Sequence, residues 1–234
     1  MSGLDQATRS PILVPADRIH EAARAIPIGD EKVHPLTRLV EITVALIAII
    51  LAAPIMLWMA ALIRRGTPGP ALFFQSRVGI NGRLFRFVKF RTLYKDAKLR
   101  WPELYAYQYT QDELDQMKFK WRNDPRVTPQ GKWMRFSSLD ELPNFWNLLL
   151  GHVALVGPRP EIPEMLPYYT KSQLRKFSVR PGITGLAQVS GRGRLTFQEG
   201  VAFDCEYVDK QNLWLDLKIL FLTVYKIVVR DGAF

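Results

Sequence analysis

The chain has 234 residues, with 32 lysines and arginines against 22 acids and a formal charge of +10 at pH 7. That length suits one domain or two small ones with a real core, and the positive excess selects anionic partners: nucleic acid, an acidic membrane surface or phosphorylated substrates. The one cysteine, Cys205, excludes an intramolecular disulfide, and the 3 histidines, His20, His34 and His152, lack the spacing of zinc ligands.

Residues 1–36 mix Pro, Ala, Asp, Arg and Glu without sustained apolar periodicity and read as a polar, loosely attached tail. From Ile42 to Ile63 the chain is almost wholly apolar, long enough to cross a bilayer as a helix. The stretch lies too far in, and runs too long, for a cleaved secretion signal. Pro54 falls in its middle, removes a helical hydrogen bond and predicts a kink or break. Arg38 precedes the stretch and Arg64-Arg65 follows it, so positive charge sets no direction. Two readings stay open: a spanning helix kinked at proline, and a helix that enters, breaks at Pro54 and returns to the same face.

After the turn-rich Gly66-Thr67-Pro68-Gly69-Pro70, Ala71–Val78 and Leu84–Arg91 read as strands of a hairpin signalled by Asn81-Gly82. The second strand interleaves bases with aromatics. That pattern suits single-stranded nucleic acid, or a sheet with a basic edge beside a membrane, and the preceding apolar segment favours the sheet. Residues 93–122 are charged and aromatic, with Leu114, Met117 and Trp121 at helical spacing, and read as a surface helical insertion.

The stretch Ser137-Ser138-Leu139-Asp140-Glu141-Leu142-Pro143-Asn144 carries the most chemistry. Proline belongs in a helix's first turn, so Pro143 puts the helix start a few residues earlier and places Asp140 and Glu141 there. Unpaired backbone N–H groups at such a start keep a carboxylate ionised and favour bound phosphate. The structural alternative is a capping box from Ser138 to Glu141. Gly151 ends the short helix and Val153–Val156 forms a brief strand. In Gly157-Pro158-Arg159-Pro160 the flanking prolines hold Arg159 on a stiff support, suited to clamping phosphate; an incidental arginine in a surface turn is the alternative. A helix follows near Lys171–Phe177, then Arg180-Pro181-Gly182-Ile183-Thr184-Gly185, with Gln188, Arg192 and Arg194 as further donors. Trp214–Val229 reads either as an interfacial amphipathic helix or as a core helix.

These motifs together resemble the bacterial sugar transferases of the monotopic phosphoglycosyl transferase superfamily. The likeness runs over about residues 35–232. It includes the proline-broken apolar segment, Gln75-Ser76-Arg77-Val78-Gly79, Lys89-Phe90-Arg91-Thr92, Asn123-Asp124-Pro125-Arg126-Val127-Thr128, the acidic pair, the Gly-Pro-Arg-Pro turn and Trp214-Leu215-Asp216-Leu217-Lys218-Ile219. The resemblance implies a helix-rich α+β protein in three parts: a polar tail over 1–36, a re-entrant membrane helix over 37–65 broken at Pro54, and a cytoplasmic catalytic domain over 66–234 with a small β-hairpin and interfacial amphipathic helices. It implies a bacterial inner-membrane enzyme that moves a sugar 1-phosphate from a UDP-sugar to polyprenyl phosphate, releasing UMP. Asp140 would be the nucleophile and a Mg2+ ligand, Glu141 its acid/base neighbour, and Arg135, Arg159, Arg180 and Lys89 the residues that hold phosphate. Ala53 stands where many members place Ser, and Glu41 where the family often has Asp. The insertion is similar to those of exopolysaccharide-type members and points to a hexose donor. Membrane lipids are expected partners and nucleic acid is not; a homo-oligomer stays open. The rival reading is a non-catalytic, membrane-tethered protein that captures nucleic acid or anionic lipid.

Overall fold

A computed structural model of the chain describes residues 14–30, 32–117 and 123–229. A short helix α1 (Ala16–Arg24) precedes α2 (Pro35–Gly66), a 32-residue helix with Pro35 in its first turn and the His34 ring accepting from the Leu36 N–H. The helical run of α2 passes through Pro54 without interruption, so the expected break is absent. Proline removes one backbone bond, but Leu51, Ala52, Ala53, Met56 and Leu57 around it are strong helix formers that carry the helix past the gap.

The buried positions of α2 lie toward its two ends: Glu41 and Ala45, then Met59 and Ile63. Ala45 packs with Phe85, Phe87, Leu148 and Val153, whereas Met59 and Ile63 pack with Ala71, Phe90 and Met134. Both ends therefore dock on the same body. Between them Leu46, Ile47, Ile50, Leu51 and Leu57 are exposed, and only 11% of the apolar window is buried within the protein. A helix that is apolar all round and uncovered by protein requires lipid around it.

Strands β1 (Leu72–Val78) and β2 (Leu84–Phe90) form the expected antiparallel hairpin, with Asn81 at φ 56° and Gly82 at φ 76° in its turn. Pairing runs Phe73 with Lys89, Gln75 with Phe87 and Arg77 with Phe85, which puts Arg77 and Lys89 on one face. Within the insertion, α3 (Ala97–Arg100), a 3-10 turn over Pro102–Tyr105 and α4 (Gln111–Gln116) are all short, so the helical insertion is made of separate pieces; Trp121 lies outside the described residues. Helix α5 (Pro129–Ser137) leads into a 3-10 stretch, Leu139–Asn144, and then α6 (Phe145–Leu150), which ends at Gly151 with φ 83°.

A second two-stranded sheet pairs β3 (Ala154–Val156) with β4 (Gly182–Thr184) in parallel. The chain continues through α7 (Leu186–Ser190), α8 (Phe197–Lys210) and α9 (Leu213–Val229). The architecture is helix-rich α+β. On α9, Ile219 is fully buried while Trp214, Leu217, Phe221, Val224 and Tyr225 are exposed, so one side belongs to the core and the other is an exposed apolar face.

Residues 14–30 depart from the tail reading. Ile19, Ala22, Ala23 and Ile26 pack onto the core built around Leu166, Tyr169 and Phe197, and Gly29 exchanges backbone bonds with the Asn81 amide at the hairpin turn. Their spacing is helical, but two alanines make too faint an apolar stripe to stand out.

A buried ion cluster latches α2 to the body. Glu41, 2% exposed, accepts from both Arg180 nitrogens at 2.8 and 2.9 Å and from Arg38 at 3.2 Å. Arg38 also donates to the carbonyls of Leu148 and Leu149 at the end of α6. Glu41→Ala strands two arginines without their acid, a loss of about 3–5 kcal/mol for a buried network. Thermal unfolding in detergent should show a large drop for Glu41→Ala and a smaller one for Glu41→Asp; equal melting of Glu41→Ala and wild type would refute the latch.

Candidate active site

The acidic pair is placed by three local devices. Thr128 caps α5 by accepting from the Gly131 N–H at 3.0 Å. At the other end Ser138 sits at φ 58° and turns the chain out of α5 into the 3-10 stretch. Its hydroxyl makes no capping bond, so the capping box expected between Ser138 and Glu141 does not form; a residue spent on closing one helix is not oriented to open the next. Finally, the buried amide of Asn147 accepts from the Val88 N–H at 3.1 Å and donates to the Arg86 carbonyl at 2.8 Å, stapling α6 to β2.

Around Asp140 and Glu141 the fold gathers cations from separate elements. From the Gly-Pro-Arg-Pro turn, Arg159 donates to Glu141 at 2.7 Å. The turn itself needs glycine: Gly157 bonds Thr184 O at 2.9 Å, and a Cβ there would come within 2.5 Å of the Arg180 carbonyl. Arg135, on α5, donates to Thr92 Oγ1 at 3.1 Å and lies 3.6 Å from Asp124, which is itself held by Arg126 at 2.8 and 2.9 Å. Lys89 comes from β2 and has no ion-pair partner among the described residues; its ammonium lies 5.6 Å from the Phe73 ring centroid.

Arg180 departs from its expected place. Its guanidinium is engaged by Glu41 in the membrane-helix latch, and the Glu41 position, noted in the sequence only as an Asp-to-Glu change, is what takes it there. Three participants went unassigned in the sequence: Asp124, which supports Arg135; Asn147, which fixes the dyad against β2; and Arg77, which donates to the Pro160 carbonyl at 3.1 Å beside the Arg159 turn. The sequence offered no signal for Arg77, because its strand face depends on the register across the hairpin turn. The aromatics of β2 do not form a nucleic-acid platform: Phe85 and Phe87 are buried in the core, and Arg86 lies over the Phe74 ring.

Burial first, and then Glu141, raise the Asp140 carboxyl to about 6, while Lys89, Arg135 and Arg159 pull it down. The sequence expectation of a carboxylate kept low by a helix start is thus reversed in direction, because desolvation outweighs the surrounding charge. Above pH 6 Asp140 is still mostly ionised, and it has no ion-pair partner among the described residues. Burial, then Arg77, lower the Lys89 ammonium to about 8. No group of three His, Cys, Asp or Glu side chains gathers among the described residues. That donor set fits Mg2+ bound through one or two carboxylates and substrate phosphates rather than an all-protein cage.

A buried carboxylate beside a second acid, an arginine turn and an apolar helix left uncovered by protein meet in one body. Residues 32–230 match the model of the bacterial sugar transferase family, and the chain belongs to that family. Its relatives include the galactosyl transferase CpsE of Streptococcus agalactiae serotype III, 40% identical over 84% of this chain and 43% of its own length. An undecaprenyl-phosphate galactose phosphotransferase of Salmonella typhimurium is 38% identical over 85% of this chain and 42% of its own. The exopolysaccharide production protein ExoY of Rhizobium meliloti is 32% identical over the whole of both chains. The chain thus spans less than half the length of the first two relatives.

Because the Asp140 carboxyl is raised, the folded state holds its proton more tightly than the unfolded chain, and the ionised group lowers stability as pH climbs from about 4 through 6. Asp140→Asn removes a cost of about 2–3 kcal/mol at neutral pH. Its melting temperature should exceed that of wild type at pH 7.5, with the gap closing near pH 4; a gap unchanged across that range would contradict the assigned shift.

Proposed function

We propose that the protein transfers a hexose 1-phosphate from a UDP-sugar to polyprenyl phosphate, starting polysaccharide or glycoconjugate assembly. The observation that carries this reading is Asp140: a buried carboxylate with no ion-pair partner among the described residues, bordered by Lys89, Arg135 and Arg159. In the first displacement an Asp140 oxygen attacks the phosphorus that bears the sugar. The bridging P–O bond breaks, UMP leaves, and an aspartyl-phosphosugar remains. In the second, a phosphate oxygen of the polyprenyl carrier attacks the same phosphorus and Asp140 leaves as a carboxylate. Two displacements at one nucleophile let two bulky anions use the pocket in turn.

Arg135 and Arg159 stabilise charge on the non-bridging oxygens, and Lys89 holds a phosphate beside Asp140. Glu141, tethered by Arg159, serves as the acid/base neighbour. When bound at Asp140 and the substrate phosphates, Mg2+ would neutralise the diphosphate and the departing UMP.

Membrane placement follows from the same chemistry, since the polyprenyl acceptor lives in lipid. The docking of both ends of α2 on one body supports re-entry from the cytoplasmic face of a bacterial inner membrane. Exposed Trp133 and Phe136 on α5, Trp146 and Leu150 on α6, and the outer side of α9 supply apolar surface for the interface. The names of the relatives, with galactose among them, support the carrier and a hexose donor.

Incubation with a panel of labelled UDP-hexoses and polyprenyl phosphate should give labelled lipid and UMP, and Asp140→Asn should neither turn over nor trap labelled phosphosugar. A mutant that still traps label removes Asp140 as nucleophile. For wild type, kcat/KM should rise through about pH 6 as Asp140 ionises and fall above about pH 8 as Lys89 loses its proton. A profile flat across both limbs would count against these roles. For topology, cysteines introduced at positions 36 and 66 should label from the same side of the membrane; labelling from opposite sides would restore a spanning helix.

A further inference from the structure

Arg77 stands on the face of the hairpin that also carries Lys89. Its side chain is 15% exposed, lies over the Phe87 ring at 5.6 Å, and donates to Pro160 O at 3.1 Å and to Gln75 Oε1 at 2.9 Å. Its Nε is buried and has no hydrogen-bond partner. The nearest acid, Glu161, is at 3.6 Å and is already committed: one oxygen accepts from the Ile162 N–H at 2.9 Å and the other from the Tyr169 hydroxyl at 3.3 Å. That hydroxyl accepts in turn from Lys176, which pairs with buried Asp204 at 2.9 Å. Glu161 is therefore anchored from behind and meets Arg77 at 3.6 Å from a fixed position.

The charge balance of the pocket is uneven. Arg159 is paired with Glu141 at 2.7 Å, Arg135 and Arg77 each have one acid at 3.6 Å, and Lys89 has no acid partner among the described residues. Two cations on one half-buried face repel each other unless an anion lies between them; burial and then Arg77 lower Lys89, while burial lowers Arg77 against the pull of Glu161. An arginine with an unused donor beside a lysine is suited to a phosphoryl group, which accepts in several directions at once.

We propose that Arg77 is a further substrate-binding residue, that with Lys89 it holds a phosphoryl group on the hairpin side of the pocket, and that Glu161 is its positioning residue. The inference rests on the dyad being the reaction centre. The phosphoryl group belongs either to the diphosphate of the donor or to the monophosphate of the acceptor, which offer the same chemistry.

The test is equilibrium binding to the full chain in nanodiscs, with UDP in one arm and undecaprenyl phosphate in the other, so that turnover is not required. Arg77→Met should weaken one ligand about tenfold or more, the loss of a charge-assisted contact, and the affected arm identifies the source. Arg77→Lys keeps charge and fold and should weaken the same ligand about threefold, because an ammonium is a point donor; it decides the matter if Arg77→Met fails to melt cooperatively. Glu161→Gln should weaken that ligand too, and combining it with Arg77→Met should add nothing, as for a residue acting through Arg77. Wild-type binding that both folded Arg77 variants leave unchanged overturns this inference alone. Wild type that binds neither ligand overturns it together with the proposed reaction.

Discussion

Burying a carboxylate among cations drawn from separate elements is the constraint on which the rest of the structure depends. Asp140 is 8% exposed, and desolvation is the largest influence pushing its carboxyl toward the protonated form. Cations from three separate elements offset that penalty: Lys89 from β2, Arg135 from α5 and Arg159 from the turn after β3. The remaining architecture holds those elements in register. Asn147 fixes α6 to β2, Asp124 steadies Arg135, and the glycine-permitted pairing of β3 with β4 holds the arginine turn.

The same economy of charge joins the membrane helix to the catalytic body. Glu41 is deeply buried yet accepts from two arginines, one on α2 itself and one from the chain just before β4. Arg38 reaches past it to the carbonyls that close α6, and α6 follows the dyad directly. Lipid-facing and catalytic parts are thus coupled through one short helix. A helix anchored at both ends on one body also keeps its apolar middle at a fixed position relative to the acidic pair.

Local chemistry was well legible in the sequence wherever one or two residues suffice. The hairpin followed from Asn81-Gly82, the end of α6 from Gly151, and the apolar helix from its unbroken composition. Capping shows the limit. Thr110 with Glu113 and Thr196 with Glu199 form real capping boxes and open α4 and α8, while the same pattern at Ser138 and Glu141 does not, because Ser138 is already used in a left-handed turn. Helix α8 was readable from the Thr196 pattern. Helix α1 was faint because its stripe is half alanine.

By itself, the sequence determined the hairpin, the long apolar helix, the end of α6, the identity of the acidic pair and the arginine turn, since each is a property of neighbouring residues. Tertiary structure decided which charges meet. A two-residue turn at Asn81-Gly82 would set Arg77 opposite Arg86; the longer loop over 79–83 sets it opposite Phe85, and that one-residue difference puts Arg77 on the Lys89 face. Arg180 and Glu41, 139 positions apart, likewise find each other only when α2 lies against β4. Pairings between distant charges depend on packing and register, and a linear pattern of residue types contains neither.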